Sequence, residues 1–175
     1  MGITTFPIVS GAQVVAGGDS TAKQDLGTMM AYRSATDQWA LVQYVQAGNN
    51  AINRYLAAVT NHATLKQYSV ELAATGDRGG ANFRGIALAT IASQKFGFLA
   101  IAGYVENALL SATTASAEYL CLSGSTAGQL TSNRASAFNN GTQGNVSAFM
   151  VVAISKGAPA SNNVAASIQL IGFWG

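Results

Sequence analysis

The sequence predicts an all-β fold, an antiparallel β-sandwich or barrel with an extended N-terminal arm. Three observations carry that reading. Apolar and polar residues alternate at period two in several short stretches, the signature of a strand with one buried face. Turn signals rich in Gly, Asn and Ser separate these stretches at roughly ten-residue spacing. No stretch sustains a helical period. The chain has 175 residues, 49% of them hydrophobic, which is enough for one core at a length that buries roughly 70% of the unfolded surface.

Residues 1–37 hold no sustained period and contain Pro7 and the run AGG at 16–18. They read as an extended arm with one short strand in IVSGAQVV, residues 8–15. Such a small-residue segment cannot fold alone and becomes ordered by lying on something else.

Residues 38–175 read as one β-rich body. QWALVQYVQ (38–46) predicts a strand with Trp39, Leu41 and Val45 on one face and Val42 and Tyr44 on the other. AGNN (47–50) is a turn signal. In AINRYLAAV (51–59), Ile52, Tyr55, Leu56 and Val59 fall at i, i+3, i+4 and i+7, which predicts a short helix. KQYSVELAA (66–74) sets Tyr68, Val70 and Leu72 against Gln67, Ser69 and Glu71, a half-buried strand. TGDRGG (75–80) reads as a loop.

NFRGIALATIA (82–92) predicts a strand, and SQK (93–95) is short enough to make a hairpin with the next one. That next strand, FGFLAIAGYV (96–105), carries no charge. Apolar on both sides, it is expected to be covered on one face by the chain's own core and closed off by a second subunit. Gly97 and Gly103 within it mark a bulge or a close backbone approach. EYLCLSG (118–124) is a further short strand, and AGQLTS (127–132) leads into another. NRASAFNNGTQGN (133–145) is a loop with the turn pair Asn140–Gly141. NVSAFMVVAISKG (145–157) and NVAASIQLIGFWG (163–175) predict two long strands joined by APASN. The final Phe173 and Trp174 predict a C-terminus that is tied down.

Charge narrows the function. Charged residues make up only 9%, against about 25% in ordinary soluble domains. Charges are costly to desolvate at the centre of an interface, so a chain packed against neighbours does without them. Low charge therefore points to life inside an assembly. The net charge is +2, and the basic residues form no run, so direct nucleic-acid binding is not expected. No apolar run is long enough for a membrane span, and the N-terminus lacks the basic start of a signal peptide.

Chemistry-bearing motifs are scarce. Cys121 is the lone cysteine, which rules out an intrachain disulfide and reads as a buried small hydrophobe. His62 is the lone histidine, so no zinc spacing exists. There is no G-x-S-x-G, and GDRGG (76–80) lacks the lysine and hydroxyl of a P-loop. No catalytic residue, cofactor or metal is expected, and the chain reads as a non-enzyme. The residues expected at an interface are Phe6, Ile8, Val9, Val14 and Val15 in the arm. In the body they are Phe96, Phe98, Tyr104 and Trp174.

One resemblance covers residues 38–132. Gly85-Ile86-Ala87, Ile91, Phe96-Gly97-Phe98-Leu99, Ile101 and Gly103, followed by GSTAGQL (124–130), resemble capsid decoration (cement) proteins of tailed bacteriophages. The resemblance implies a structural protein on the outer surface of the virion's capsid, where it binds major capsid protein, bridges its subunits and stabilises the shell. A homo-oligomer, dimer or trimer, fits that role. An arm could then add a strand to a neighbour's sheet. Two other readings remain. One is a tail or fibre-attachment component. The other is a carbohydrate-binding β-sandwich using Trp39, Tyr44 or Tyr104.

Overall fold

A computed structural model describes residues 6–60, 68–75, 82–111, 118–123, 126–132, 151–156 and 164–171. His62, Trp174 and the expected turns at 133–145 and 158–162 lie outside these residues. The described elements are strands and a single 3-10 turn at Gly11–Gln13, so the all-β expectation holds. The strands are β1 (Ile8–Val9), β2 (Met29–Arg33), β3 (Trp39–Ala47), β4 (Ala57–Thr60), β5 (Ser69–Leu72) and β6 (Phe83–Ala87). They continue as β7 (Phe96–Leu110), β8 (Tyr119–Leu122), β9 (Leu130–Ser132), β10 (Ala153–Ser155) and β11 (Val164–Leu170).

All eleven belong to one sheet in the order β1-β2-β3-β5-β4-β6-β7-β11-β10-β8-β9. Two further pairings, β3 with β7 and β7 with β9, close it twice. The first ring runs β3-β5-β4-β6-β7 and the second β7-β11-β10-β8-β9. Both use β7, whose fifteen residues are the FGFLAIAGYV ribbon extended to Leu110. Closure removes the exposed edges that an open sheet would leave. The sheet is mixed and not purely antiparallel, because β1–β2, β3–β5 and β7–β9 pair in parallel.

Gly103 is where β7 passes from one ring to the other. It pairs with Ala40 of β3 and also with Leu170 of β11. Its φ is +91°, and a Cβ there would stand 2.6 Å from the Trp39 carbonyl oxygen. Only glycine adopts this backbone without strain. β7 also bulges twice. Ile101 is extra against β3, between the Leu41–Ala102 and Val42–Ala100 pairs. Glu106 and Asn107 together face one residue of β11, between the Ile168–Val105 and Ala166–Ala108 pairs. Bulges bend a strand and increase its twist.

Burial falls into two clusters. Val45, Val70, Ala58, Ala87 and Leu99 come one from each strand of the first ring and meet in the smaller cluster. Leu110, Ile168, Ala153, Leu120 and Leu130 come one from each strand of the second ring and join the larger one. The larger cluster also holds Val42, Tyr44, Phe98 and Ala100. Adjacent residues of β7 thus point into different clusters, Phe98 and Ala100 into one and Leu99 into the other. The expectation of a second subunit over this ribbon is corrected at 98–100: this chain covers both faces there.

The N-terminal segment lies on its own body. Val9 is fully buried and packs with Met30 in the larger cluster, against which Val14, Leu26 and Tyr32 also pack. Main-chain bonds run from Gly17 N–H to the Thr90 carbonyl (2.8 Å) and both ways between Asp19 and Phe96 (2.8 and 3.1 Å). Met29–Arg33, read as arm, is a full partner of β3. The helix expected at 51–59 is absent. Ile52 instead bridges Ile91, Tyr55 takes φ +70°, and β4 starts at Ala57. The connection from β6 to β7 spans 88–95, longer than SQK, because Ile91 turns back to pair with Ile52 and Gly17.

Candidate functional site

Two surface features stand out, an apolar edge and a polar cleft. The edge is β1, the outermost strand of the sheet order, with no partner on its far side among the described residues. Its residues alternate as a strand should. Ile8 is 63% exposed and Val9 fully buried, while Phe6 is 40% exposed. Pro7 gives its carbonyl to Ala31 N–H at 2.8 Å and has no N–H, a common feature of edge strands. After β1, Ser10 N–H donates to Gln13 Oε1 at 2.8 Å and fixes the 3-10 turn. Val15 follows, exposed.

The residues expected at an interface therefore separate. Phe6 and Ile8 are exposed at β1, and Val15 is exposed beyond the 3-10 turn. Val14 is half-buried against the core, and Tyr104 is half-buried on β7. Phe96 is half-buried, its ring stacked 6.2 Å from that of Tyr44. Val9 and Phe98 are corrected: Val9 turns inward between exposed Ile8 and Ser10, Phe98 lies where β7 is covered on both faces, and both belong to the core. Trp174 lies outside the described residues. Of the aromatics considered for a sugar, Tyr44 is also core. Trp39 is exposed, with the Arg33 guanidinium 5.8 Å from its ring centre.

The cleft lies between β2, the turn before β4, the bend after β6 and the far half of β7. Tyr32, Arg54, Tyr55, Tyr104, Glu106 and Asn107 line it. A separate, adjoining depression shares Tyr32, Arg54 and Leu88 and is lined further by Thr90, Val14 and Gly11. The Arg54 guanidinium sits 4.3 Å from the Tyr55 ring centre, and its Nε donates to the Leu88 carbonyl at 3.0 Å. Asn107 Nδ2 donates to the Tyr55 hydroxyl at 3.4 Å. Tyr55 N–H donates to the Ala87 carbonyl at 2.8 Å, which holds the turn.

Glu106 accepts from Thr36 N–H at 3.3 Å and from the Thr36 hydroxyl. The Thr36 hydroxyl bond, with a further one from Ser34, holds the Glu106 carboxyl below its usual range. Burial, then the nearby Glu106 charge, pushes the Tyr32 phenol up, so it stays neutral. The bulge at Glu106 and Asn107 lets two successive residues of β7 reach one cleft, which an unbroken period of two forbids.

Sequence reasoning singled out only Tyr104 of this group. Tyr32, Arg54, Tyr55, Glu106 and Asn107 come from three separate regions of the chain and share no spacing. Cys121 is buried, and burial pushes its thiol up. Among the described residues no group of three His, Cys, Asp or Glu could hold a metal ion, and no helix is long and apolar enough to cross a membrane. No protein-family model matches the chain, and no curated protein matches it.

Proposed function

We propose that this protein is a structural virion component, a capsid decoration (cement) protein. It sits on the outer capsid surface of a tailed phage and bridges subunits of the major capsid protein as a small homo-oligomer. The observation that supports this reading is the exposed apolar edge at Phe6 and Ile8. It is the open side of a sheet that is otherwise closed into two rings. A chain with 9% charged residues has little desolvation cost to meet when such a surface is covered. The Phe6 and Ile8 side chains are exposed there; Pro7 turns its carbonyl toward β2, which leaves the main-chain groups of Ile8 on the open edge for strand pairing. Repetition around a shell multiplies weak contacts.

The test is a pelleting titration of the purified protein with mature phage shells that lack it. Saturable binding at a fixed number per capsomer, with a higher shell melting temperature, is the expected result. Tubes or rings formed by the protein alone, without shell binding, would instead support a tail component.

A further inference from the structure

We infer that two copies of this chain pair in solution through the open edge of β1, antiparallel about a two-fold axis at Ile8. This deepens the proposed function, resting on the homo-oligomer named there, and gives that oligomer a size and an interface. β1 is the one strand in the sheet order without a second partner among the described residues. Every other strand lies in a closed ring or, as β2 does, between two neighbours. One open edge per chain is used up by one contact, so assembly stops at two.

The main chain is self-complementary at Ile8. β1 and β2 run parallel, with Ile8 beside Ala31 and Val9 beside Tyr32. Successive residues of a strand turn their main-chain groups to opposite edges. The Pro7 carbonyl accepts from Ala31 N–H, so Pro7 and Val9 face β2, and the N–H and C=O of Ile8 face outward. In an antiparallel pair, a hydrogen-bonded residue exchanges both bonds with the residue opposite. About a two-fold axis Ile8 does this with its own copy, and both of its groups are satisfied. The ladder ends there. Ser10, two residues on, already has its N–H on Gln13 Oε1 at 2.8 Å and its C=O on Gln13 N–H at 3.0 Å. Two main-chain bonds make the contact weak and reversible.

Nothing in the segment opposes the pairing. A two-fold axis sets a surface against itself, so a charge near the axis meets its like. Residues 2–18 carry no charged side chain, and charge is the commonest guard of an exposed edge. The side chains stay free for the shell. Ile8, Ala31, Leu41 and Ala102 are paired in register across β1, β2, β3 and β7. Paired residues share a face, and Val9, Met30 and Val42 are buried on the other one. Pairing at Ile8 joins two such rows into one apolar face. The edge thus holds the second copy while the Phe6 and Ile8 side chains of both copies meet the capsid subunit.

The experiment is sedimentation equilibrium of the full chain without shells, from micromolar to millimolar concentration. The expected result is a reversible monomer–dimer equilibrium with no larger species. Ile8 is 63% exposed, so Ile8→Lys and Ile8→Glu leave the monomer folded. Each sets like charges together at the axis and should weaken self-association at least about tenfold. An equimolar mixture of the two sets Lys against Glu and should restore the dimer at low salt. Four results overturn the inference: a monomer throughout, a trimer or larger species, single variants that dimerise as tightly as the native chain, or a mixture no tighter than either variant. If a variant fails to fold, the equilibrium of the native chain decides. A monomer that still pellets with shells refutes the dimer and not the cement role. A dimer that does not pellet refutes the cement role and supports the pairing.

Discussion

The Tyr44 hydroxyl donates to Asp19 Oδ2 at 3.2 Å, joining a fully buried ring of β3 to the N-terminal segment. The same oxygen accepts from Lys23 N–H at 3.2 Å. Lys23 Nζ closes the loop on Asp19 Oδ1 at 2.5 Å. A segment too poor in apolar residues to fold alone is thus fastened at a point where the core presents a single hydroxyl. Burial pushes the Tyr44 phenol up, which keeps its proton available to Asp19.

Tyr44→Phe keeps the ring and its packing against Phe98, 5.0 Å away between ring centres, and removes only the oxygen. Two partners, Asp19 and the Lys23 amide, lose a hydrogen bond. The expected cost is about 1–2 kcal/mol, read as a lower urea midpoint with an unchanged slope. An unaltered midpoint would mean that the hydroxyl does not fasten the segment.

Gly103→Ala tests the passage of β7 between the rings. The added methyl would meet the Trp39 carbonyl oxygen and Ala40 Cα, at 2.6 and 2.8 Å. Both are backbone atoms and cannot swing aside. Left-handed strain adds to the clash. The expected loss is about 3 kcal/mol or more, measured by chemical denaturation. Gly11→Ala, where a Cβ meets nothing within 4 Å, is the control.

The strands were legible wherever one local pattern decided them. β5 falls inside KQYSVELAA, and β3 inside QWALVQYVQ save for Ala47, expected in the turn, because alternation reflects a face, and a face is local. Residues 51–59 misled for the same reason. Ile52 goes to the smaller cluster and Val59 to the larger, so their helical spacing reflects two separate burials and not one face. Closure was not legible, because the β3–β7 pairing joins residues fifty or more apart, from Gln46–Phe96 to Ala40–Gly103, and no periodicity encodes it. The cleft was legible only through Tyr104. Glu106 and Asn107 share it by virtue of a bulge, and a bulge interrupts the pattern that a sequence reading follows.

Phe98→Ala separates core from interface. Phe98 is 3% exposed in the chain by itself, so truncation opens a cavity whatever the assembly state. The expected loss is about 3–5 kcal/mol, at every protein concentration. A loss that appeared only at concentrations where the chain associates would return Phe98 to an interface role.

Glu106 sets a pH dependence. Its folded pKa lies below the ordinary 4.5, chiefly through the hydrogen bond from Thr36. The charged form is therefore favoured by folding. That contribution is full above 4.5 and disappears as pH falls through the folded value. Glu106→Gln should melt below the native chain at neutral pH, and the gap should narrow in acid. Solvent screens this partly exposed group, so the gap is small. A gap that widened in acid would contradict the assignment.

Phe6→Ser combined with Ile8→Ser addresses docking directly. Both side chains are already exposed, so the folded monomer loses little and its stability should move within about 0.5 kcal/mol. Val9, the inward neighbour that anchors β1, is left in place. If the edge is covered by a capsid subunit, these two residues are the buried apolar anchors. Losing anchors of that kind costs at least about 2 kcal/mol of binding, or roughly thirty-fold in affinity. Pelleting with shells should then show free protein where the native chain saturates. Val9→Ser is the informative contrast: it removes a fully buried side chain and should destabilise the monomer itself. Undiminished shell binding by the Phe6/Ile8 variant would move docking to another face, with exposed Trp39 and Tyr119 the next to substitute.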